Sequence, residues 1–423
     1  MPTQAQIARR YTERALQLIR VGNGQAADVR RELRQLAAEL RQLLAGADLP
    51  AMSRRGLNAL LRDIEAAIAG RYTAIADQQL AATAEIVAIE AAWARRASDF
   101  PRPASERVIN SAAQNLLIFG IPLALSWAHN RDDLTRRAGG ILREVAAGQA
   151  PPETLLPRIL GTGPAGRETG GLIQQAARNA DALVHTTVSE AATDARLPVW
   201  KANGVNAFRW HAVLDEKTTA GCALRHGLLY ELDTLEPIRH SVPIEREPPR
   251  HYRCRSILLP MAYADDIPMP EDGGQSTFRD YFDSLTEAEQ DRLFGQGRAD
   301  LFRRGVITQS DLVGQNGQVL SLAELRESGV FSAYDDASKG GRYSGFFTEH
   351  ATYSDAQLLR SARNLQKTIA EHEAWIQDPY IKLAMDVSEF AVGNLVRKKW
   401  PKDIARNRAY LDIVQGILRR RGK

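Results

Sequence analysis

The sequence predicts a mainly α chain that carries one small α+β module. Three observations lead there. Apolar residues recur at spacings of three and four through the first hundred residues, and helical patterning returns in the last seventy. Short alternating and aromatic runs are confined to residues 200–262. Both cysteines of the 423-residue chain fall in that same stretch, with four of its eight histidines.

Leu33, Leu36, Leu40 and Leu43 make one apolar seam, and Leu57, Leu61, Ile64, Ile68, Tyr72 and Ile75 make a second. "GADLPAMSRRG" (46–56) is the turn between them, so residues 1–100 read as a long N-terminal helical hairpin. Its narrow, Ala-rich stripe suits packing against other helices. "DFPRPASER" (99–107) is a proline-bearing boundary. Helical patterns then run over about 108–197, within a segment 101–200, broken at "GQAPPE" (148–153) and "GTGPAGRETGG" (161–171). The second break holds a literal G-x-G-x-x-G at Gly161, Gly163 and Gly166. A dinucleotide site needs a buried strand before that loop. Here an amphipathic helical pattern precedes it and Pro164 sits inside, so it reads as a loop between helices.

Residues 201–265 form the compact module. Its strands are expected in "VNAFRWHAVLDEKTT" (205–219), "HGLLYELD" and "RSILLP" (255–260), with "PIRHSVPIEREPP" as loop. After the loop "MPEDGGQS" (269–276), a mixed helical extension fills 266–336. "TEAE" there is a capping box, with Glu289 three residues after Thr286. "ASKGGRYSG" (337–345) is a hinge, and 337–423 is a basic helical region with breaks expected at "QDPY" and "KKWPKD".

The longest apolar stretch, "LLIFGIPLALSW" (116–127), is too short to span a bilayer and contains proline. The N-terminus shows no signal-peptide core. A chain assembled in the cytosol is expected, with no membrane partner and no small-molecule substrate. The net charge is +4, but residues 391–423 hold ten Lys or Arg against two Asp. Arg397, Lys398, Lys399, Lys402, Arg419, Arg420 and Arg421 are therefore candidate contacts for DNA or a partner protein. The first four are spread around the helix rather than striped, which makes DNA contact accessory. Glu371-His372-Glu373 lacks the second histidine of a zinc protease. No catalytic residue is assigned.

The cysteine–histidine cluster is the chemical signal. Cys222 and His226 are spaced C-x3-H, and His251 and Cys254 are spaced H-x2-C. Two close pairs of this kind suit a tetrahedral structural zinc site, and a module with little core gains folding free energy from such a clip. His211 and His240 are spare ligands. Other readings stay open: buried cysteines acting as small hydrophobes, a disulfide, or a Cys–His nucleophilic pair, for which no oxyanion element is visible. Arg253 and Arg255, flanking Cys254, are expected to face solvent, a partner or nucleic acid.

"FRWHAVLDEKTTAGCALRHGLLYEL" followed by "PPRHYRCRSILLP" resembles the Mu F-like, SPP1 gp7-like family of phage minor head morphogenesis proteins. Trp210, Asp215, Thr218, Cys222 and Gly227 match its first half, and Pro248, Pro249, His251, Cys254 and Arg255 its second. The helical approach, "IPLALSWAHNRDDLTRRAGG" and "ARNADALVHTTVSEAATDAR", is also similar, so the likeness covers roughly 110–262. Some members carry further cysteines where this chain has Thr219 and Ser256, which would leave His226 to complete a metal set. The resemblance implies a non-enzymatic minor capsid protein in the virion head, assembled in the host bacterial cytoplasm. It would act at or near the portal, among other head proteins, with contact to packaged double-stranded DNA. Chains with such domains also carry C-terminal effector or toxin modules, which is the alternative for the region from about 340 onward.

Overall fold

The computed structural model describes residues 2–163, 169–261, 271–384 and 387–423. Pro164 and Gly166 of the glycine loop, the boundary at 265–266 and the start of "MPEDGGQS" lie outside them. Helix takes 67% and strand 5%, which makes the chain mainly α with one small antiparallel sheet, as the periodicity predicted. Two compact units form. One comprises Met1–Thr218, Arg225–Arg239 and Ile244–Gly274, and the other Thr219–Leu224, His240–Pro243 and Gln275–Lys423.

In the first unit, Thr3 opens α1 (Gln4–Leu44) with a capping box shared with Gln6. Ser53 caps α2 (Arg54–Ala97) by accepting from the Gly56 amide. The expected seams are buried from Leu33 to Leu40 and from Ile64 to Ile75. The first ends on Leu44 rather than Leu43, and the second begins on Leu60, with Leu57 and Leu61 half-buried. After α3 (Glu106–Gln114), the helical pattern expected from about 108 to the break at 148 is interrupted. β1 (Leu117–Ile118) and β2 (Ile121–Pro122) pair as a small antiparallel hairpin. Its turn, Phe119-Gly120, has positive φ at both residues, 51° and 82°. Such a turn matches strand twist, and glycine accepts it without strain. Helix resumes with α4 (Leu123–Ala146), α5 (Leu155–Leu160) and α6 (Gly171–Ala202). α6 packs on both α1 and α2. A helix therefore precedes the glycine loop, and Thr162 pairs with Thr169 across the loop's base.

The sheet comprises β3 (Ala207–His211), β4 (Leu229–Glu231) and β5 (Ile257–Met261), in the order β4-β3-β5 and antiparallel throughout. Phe208 stands opposite Tyr230 and Pro260, and Trp210 opposite Leu258. Ala207, Phe208 and Trp210 are fully buried, so the central strand is covered on both faces. The one-turn helix α7 (Ala220–Ala223) lies between β3 and β4 in the chain.

In the second unit, α8 (Gln275–Ser284), α9 (Glu287–Phe294) and α10 (Gln296–Arg303) collect Phe278, Phe282, Phe294 and Phe302. Their ring centroids lie 4.8–6.4 Å apart. Thr286 and Glu289 form the expected capping box of α9. There follow α11 (Leu322–Glu327), α12 (Ala333–Ser338), α13 (Ser344–Ala351), α14 (Asp355–Gln377), α15 (Glu389–Asn394) and α16 (Trp400–Arg420). Leu358 and Ala362 of α14 share a core with Ile413, Val414, Ile417 and Leu418 of α16. "QDPY" ends α14 as expected. "KKWPKD" does not break the chain's helix: residues 395–399 form a π-turn that runs into α16, with Pro401 in its first turn. Proline lacks the amide that would bond one turn back, and its ring needs room beside that carbonyl. A widened turn supplies both conditions.

Candidate metal centre

Three of the four predicted ligands converge. One ligand atom each of Cys222, His251 and Cys254 lie within 4.8 Å of one another. Both cysteines are buried and neither is in a disulfide. This group could hold a metal ion, and its donor set, two soft thiols and an imidazole, is the kind that zinc accepts.

Local sequence explains each position. After β3, Asp215 organises its own loop. Its Oδ1 accepts from the Lys217 amide at 2.8 Å, and its amide donates to Thr218 Oγ1 at 2.9 Å. The Thr218 hydroxyl in turn donates to the Val213 carbonyl at 2.6 Å. Thr219 then caps α7, accepting from the Cys222 amide, so the cysteine sits at a fixed point of the turn. On the other side, the Cys254 amide donates to the His251 carbonyl at 3.0 Å, closing "HYRC" as a turn. Arg253, third in that turn, has φ 60°, as the third residue of a type II turn requires. The His251 Nδ1–H faces the Tyr252 carbonyl at 2.9 Å. A proton held there leaves Nε2 with the lone pair a metal takes.

The fourth predicted ligand, His226, is not in this group. His226 Nδ1 accepts from the Ala212 amide at 3.2 Å, and its ring lies 5.0 Å from that of His211. Burial first, then the neighbouring His211 and Arg209, push its pKa down to about 4. The spare ligands are not in the group either. His211 Nε2 is 3.1 Å from the Thr12 hydroxyl, and His240 Nδ1 accepts from the Val242 amide.

The two arginines beside Cys254 are engaged within the chain. Both terminal nitrogens of Arg255 bond the two oxygens of Asp215, a bidentate fork. That bond, ahead of the Lys217 amide, holds the Asp215 carboxyl down at about 2. Arg253 pairs with Asp181 of α6 at 2.6 Å, and its amide donates to Thr186 Oγ1 at 3.1 Å.

Sequence reading missed the rail that carries this loop. Residues 246–253 lie along α6. The Arg246 guanidinium bonds Glu190, and the Thr193 hydroxyl donates to the Pro248 carbonyl at 2.9 Å. Arg246 also lies over the Phe119 ring, and Tyr252 meets Phe119 edge-on at 5.1 Å. The signal was available: Thr186, Glu190 and Thr193 are polar residues at helical spacing in α6. Burial pushes Glu190 up to about 8 despite Arg246, because its Oε2 is buried without a hydrogen-bond donor among the described residues. Asp194, one turn on, is pushed up to about 6, first by burial and then by Glu247.

The basic end divides. Arg421 binds Asp355 at 2.9 Å and the Tyr353 and Ala351 carbonyls at 2.7 Å, so it ties the end of α16 to the start of α14. Arg419 reaches Asp412 at 3.5 Å. Arg397, Lys398, Lys399, Lys402 and Arg420 are exposed.

No family model matches the chain, and no curated protein or solved structure matches it either.

Proposed function

We propose that the chain is a non-enzymatic minor head protein of a tailed phage. It would be assembled in the host cytoplasm and retained in the virion head at or near the portal. One observation carries this reading. The residues that bear the resemblance to the Mu F-like family are separated by up to forty-five positions, yet they take interlocking structural parts. Trp210 is buried in the central strand, Asp215 is forked by Arg255, and Cys222, His251 and Cys254 converge. The buried and engaged nature of these side chains supports scaffolding rather than turnover. On the same reading the trio holds a structural zinc. Cys222 and Cys254 would bind as thiolates and His251 through Nε2, a fourth donor from outside the trio would complete the tetrahedron, and the ion would supply folding free energy. The exposed Arg397, Lys398, Lys399 and Lys402 would lie near packaged DNA, as accessory contacts.

The role is tested by quantitative mass spectrometry of purified DNA-filled heads, beside heads made without the gene. A few copies per wild-type head, with defective heads in its absence, is the expected result. Normal infectious particles lacking the protein would sink it. The zinc is tested separately by elemental analysis of the purified chain with Cys222→Ser and Cys254→Ser. About one zinc per chain is expected, lost in both variants together with thermal stability. A metal-free chain whose cysteine variants melt normally would remove the clip and leave the head role to the first test.

A further inference from the structure

Among the described residues between α14 and α16, aromatic contacts hold the helix ends while three large apolar side chains stand exposed. Trp375 of α14 meets Trp400 of α16 with ring centroids 5.7 Å apart, and the Lys382 ammonium stands 5.0 Å from the Trp375 centroid. The ends of both helices are thereby fastened together. Outward, the connection presents apolar side chains. Phe390 is 81% exposed, Ile381 64% and Tyr380 43%. Phe390 is the most exposed large hydrophobic side chain among the described residues. Singly, such side chains are ordinary on a protein surface; three of them on one short connection beside a run of cations make a candidate contact surface.

Cations stand at the same end. Arg397, Lys398, Lys399 and Lys402 are exposed, and no acid lies between Leu395 and Lys402. Further along α16, Arg406 and Arg408 are answered by Asp403 and Glu373. Lys398, Lys399 and Lys402 form no ion pair with the described residues.

We propose that this tip docks on the anionic surface of a lipid bilayer. Phe390, Ile381 and Tyr380 enter the headgroup region, and the four cations meet lipid phosphates. The combination of apolar and cationic groups decides the partner. A duplex offers phosphates to the lysines but nothing to the branched aliphatic side chain of Ile381. An anionic membrane interface accepts both at once. No helix among the described residues is long and apolar enough to cross a membrane, so the tip would lie on the bilayer and not span it. The sequence reading expected no membrane partner. What changes that is exposure, which the sequence does not display. The proposal does not rest on the head role, and it replaces the accessory DNA contact for these four cations with lipid phosphate.

The test is co-sedimentation of the full chain with large vesicles of phosphatidylcholine alone, and with about a third phosphatidylglycerol, a composition at which each lysine is worth roughly fivefold in partition. Binding to the anionic vesicles alone, weakened by salt, is expected. Phe390→Ser with Ile381→Ser should lose about tenfold or more with all cations intact. Lys398→Glu with Lys399→Glu should lose at least as much. These side chains are exposed, so unchanged melting curves should confirm that both variants fold. A labelled DNA duplex is titrated in parallel. The proposal is overturned if the chain ignores anionic vesicles, whether or not it binds the duplex. It is equally overturned if the Phe390/Ile381 variant binds vesicles as tightly as the parent.

Discussion

Between α1, α2 and α6 the interior holds a carboxylate, Glu90, fully buried between Arg14 and Arg196. Between α8, α9 and α10 the interior holds four phenylalanines packed ring on ring. The first core is defined by partners and the second by volume. Arg196 gives two donors to Glu90 Oε2, at 2.6 and 3.0 Å, while Arg14 bonds Oε1. The Arg196 guanidinium also lies 4.9 Å from the Trp93 ring and 5.3 Å from Tyr11. The Tyr11 hydroxyl completes the set with Ser98 and the Trp200 indole, each at 3.1 Å. Every member has one acceptable neighbour geometry, so this core specifies how three long helices align. The phenylalanine core should accept apolar replacements that keep its volume and patterning.

The sharpest way to break the comparison is to remove one charge. Glu90→Ala leaves Arg196 buried without its carboxylate, and the first unit should lose about 3–5 kcal/mol. Replacing both, Glu90→Met with Arg196→Met, should recover most of that, because two apolar side chains cost little where one unpaired charge costs much. Urea unfolding followed by tryptophan fluorescence reads both, since Trp93 and Trp200 flank the pair. If the double variant is as unstable as the single one, the pair's role is not the partner-matching described here. In the other core, Phe278→Leu keeps the apolar character and most of the volume, and should cost about 1–1.5 kcal/mol. No second substitution in the cluster should be needed to keep it folded.

What the sequence shows of these two cores follows the same division. Apolar periodicity made the seams of α1 and α2 legible, because long amphipathic helices repeat their signal over many turns. It made "TEAE" legible as a cap. It did not reveal Glu90, which reads as a surface acid in "EIVAIEAAW" although it falls on the buried face with Gln79 and Thr83. A buried charge needs a partner that is distant in sequence, and Arg196 is 106 residues away. The hairpin at 117–122 was hidden because two-residue strands inside an apolar run give no alternation. In the metal centre, spacing found both cysteines and His251. It could not choose among histidines, because ligand choice depends on which ring lies close to both thiols, and His251 is the one that does.

The rail under residues 246–253 sharpens the comparison through pH. Glu190 belongs to the partner-defined side, but with one oxygen unsatisfied. Its pKa is raised from its ordinary value to about 8, so the native state holds a proton that the unfolded chain releases at lower pH. Its favourable contribution is complete below the unfolded value and is lost as pH rises toward 8. Asp194 acts in the same sense over a lower range, up to about 6, with Arg246 and Glu247 as the other facing charges. His226 acts in the opposite sense. Its pKa is depressed to about 4, so its contribution is present above the unfolded value and fades as pH falls toward 4. Glu190→Gln should therefore gain on the parent in melting temperature as pH rises from 5 to 8. Parallel melting curves for the two proteins across that range would show Glu190 to be ionised and fully paired instead.

The smallest effect belongs to the edge of the phenylalanine core. The Thr286 side chain accepts from the Glu289 amide, and Glu289 Oε2 accepts from the Thr286 amide and hydroxyl at 2.8 and 2.7 Å. This box sits on the surface, but the next residue does not. Gln290 is buried, and its side chain donates to the Phe282 carbonyl at 2.8 Å. The cap thus fixes the start of α9, and α9 carries Phe294 into the cluster. Thr286→Ala should cost about 1 kcal/mol, and Thr286→Ser much less. In a core held by volume, that loss should stay local. Amide exchange should quicken about fivefold over residues 287–294 and stay unchanged across α14 and α16. Loss of protection throughout the second unit would mean that its phenylalanines depend on a specified helix start, and the contrast with the Glu90 core would close.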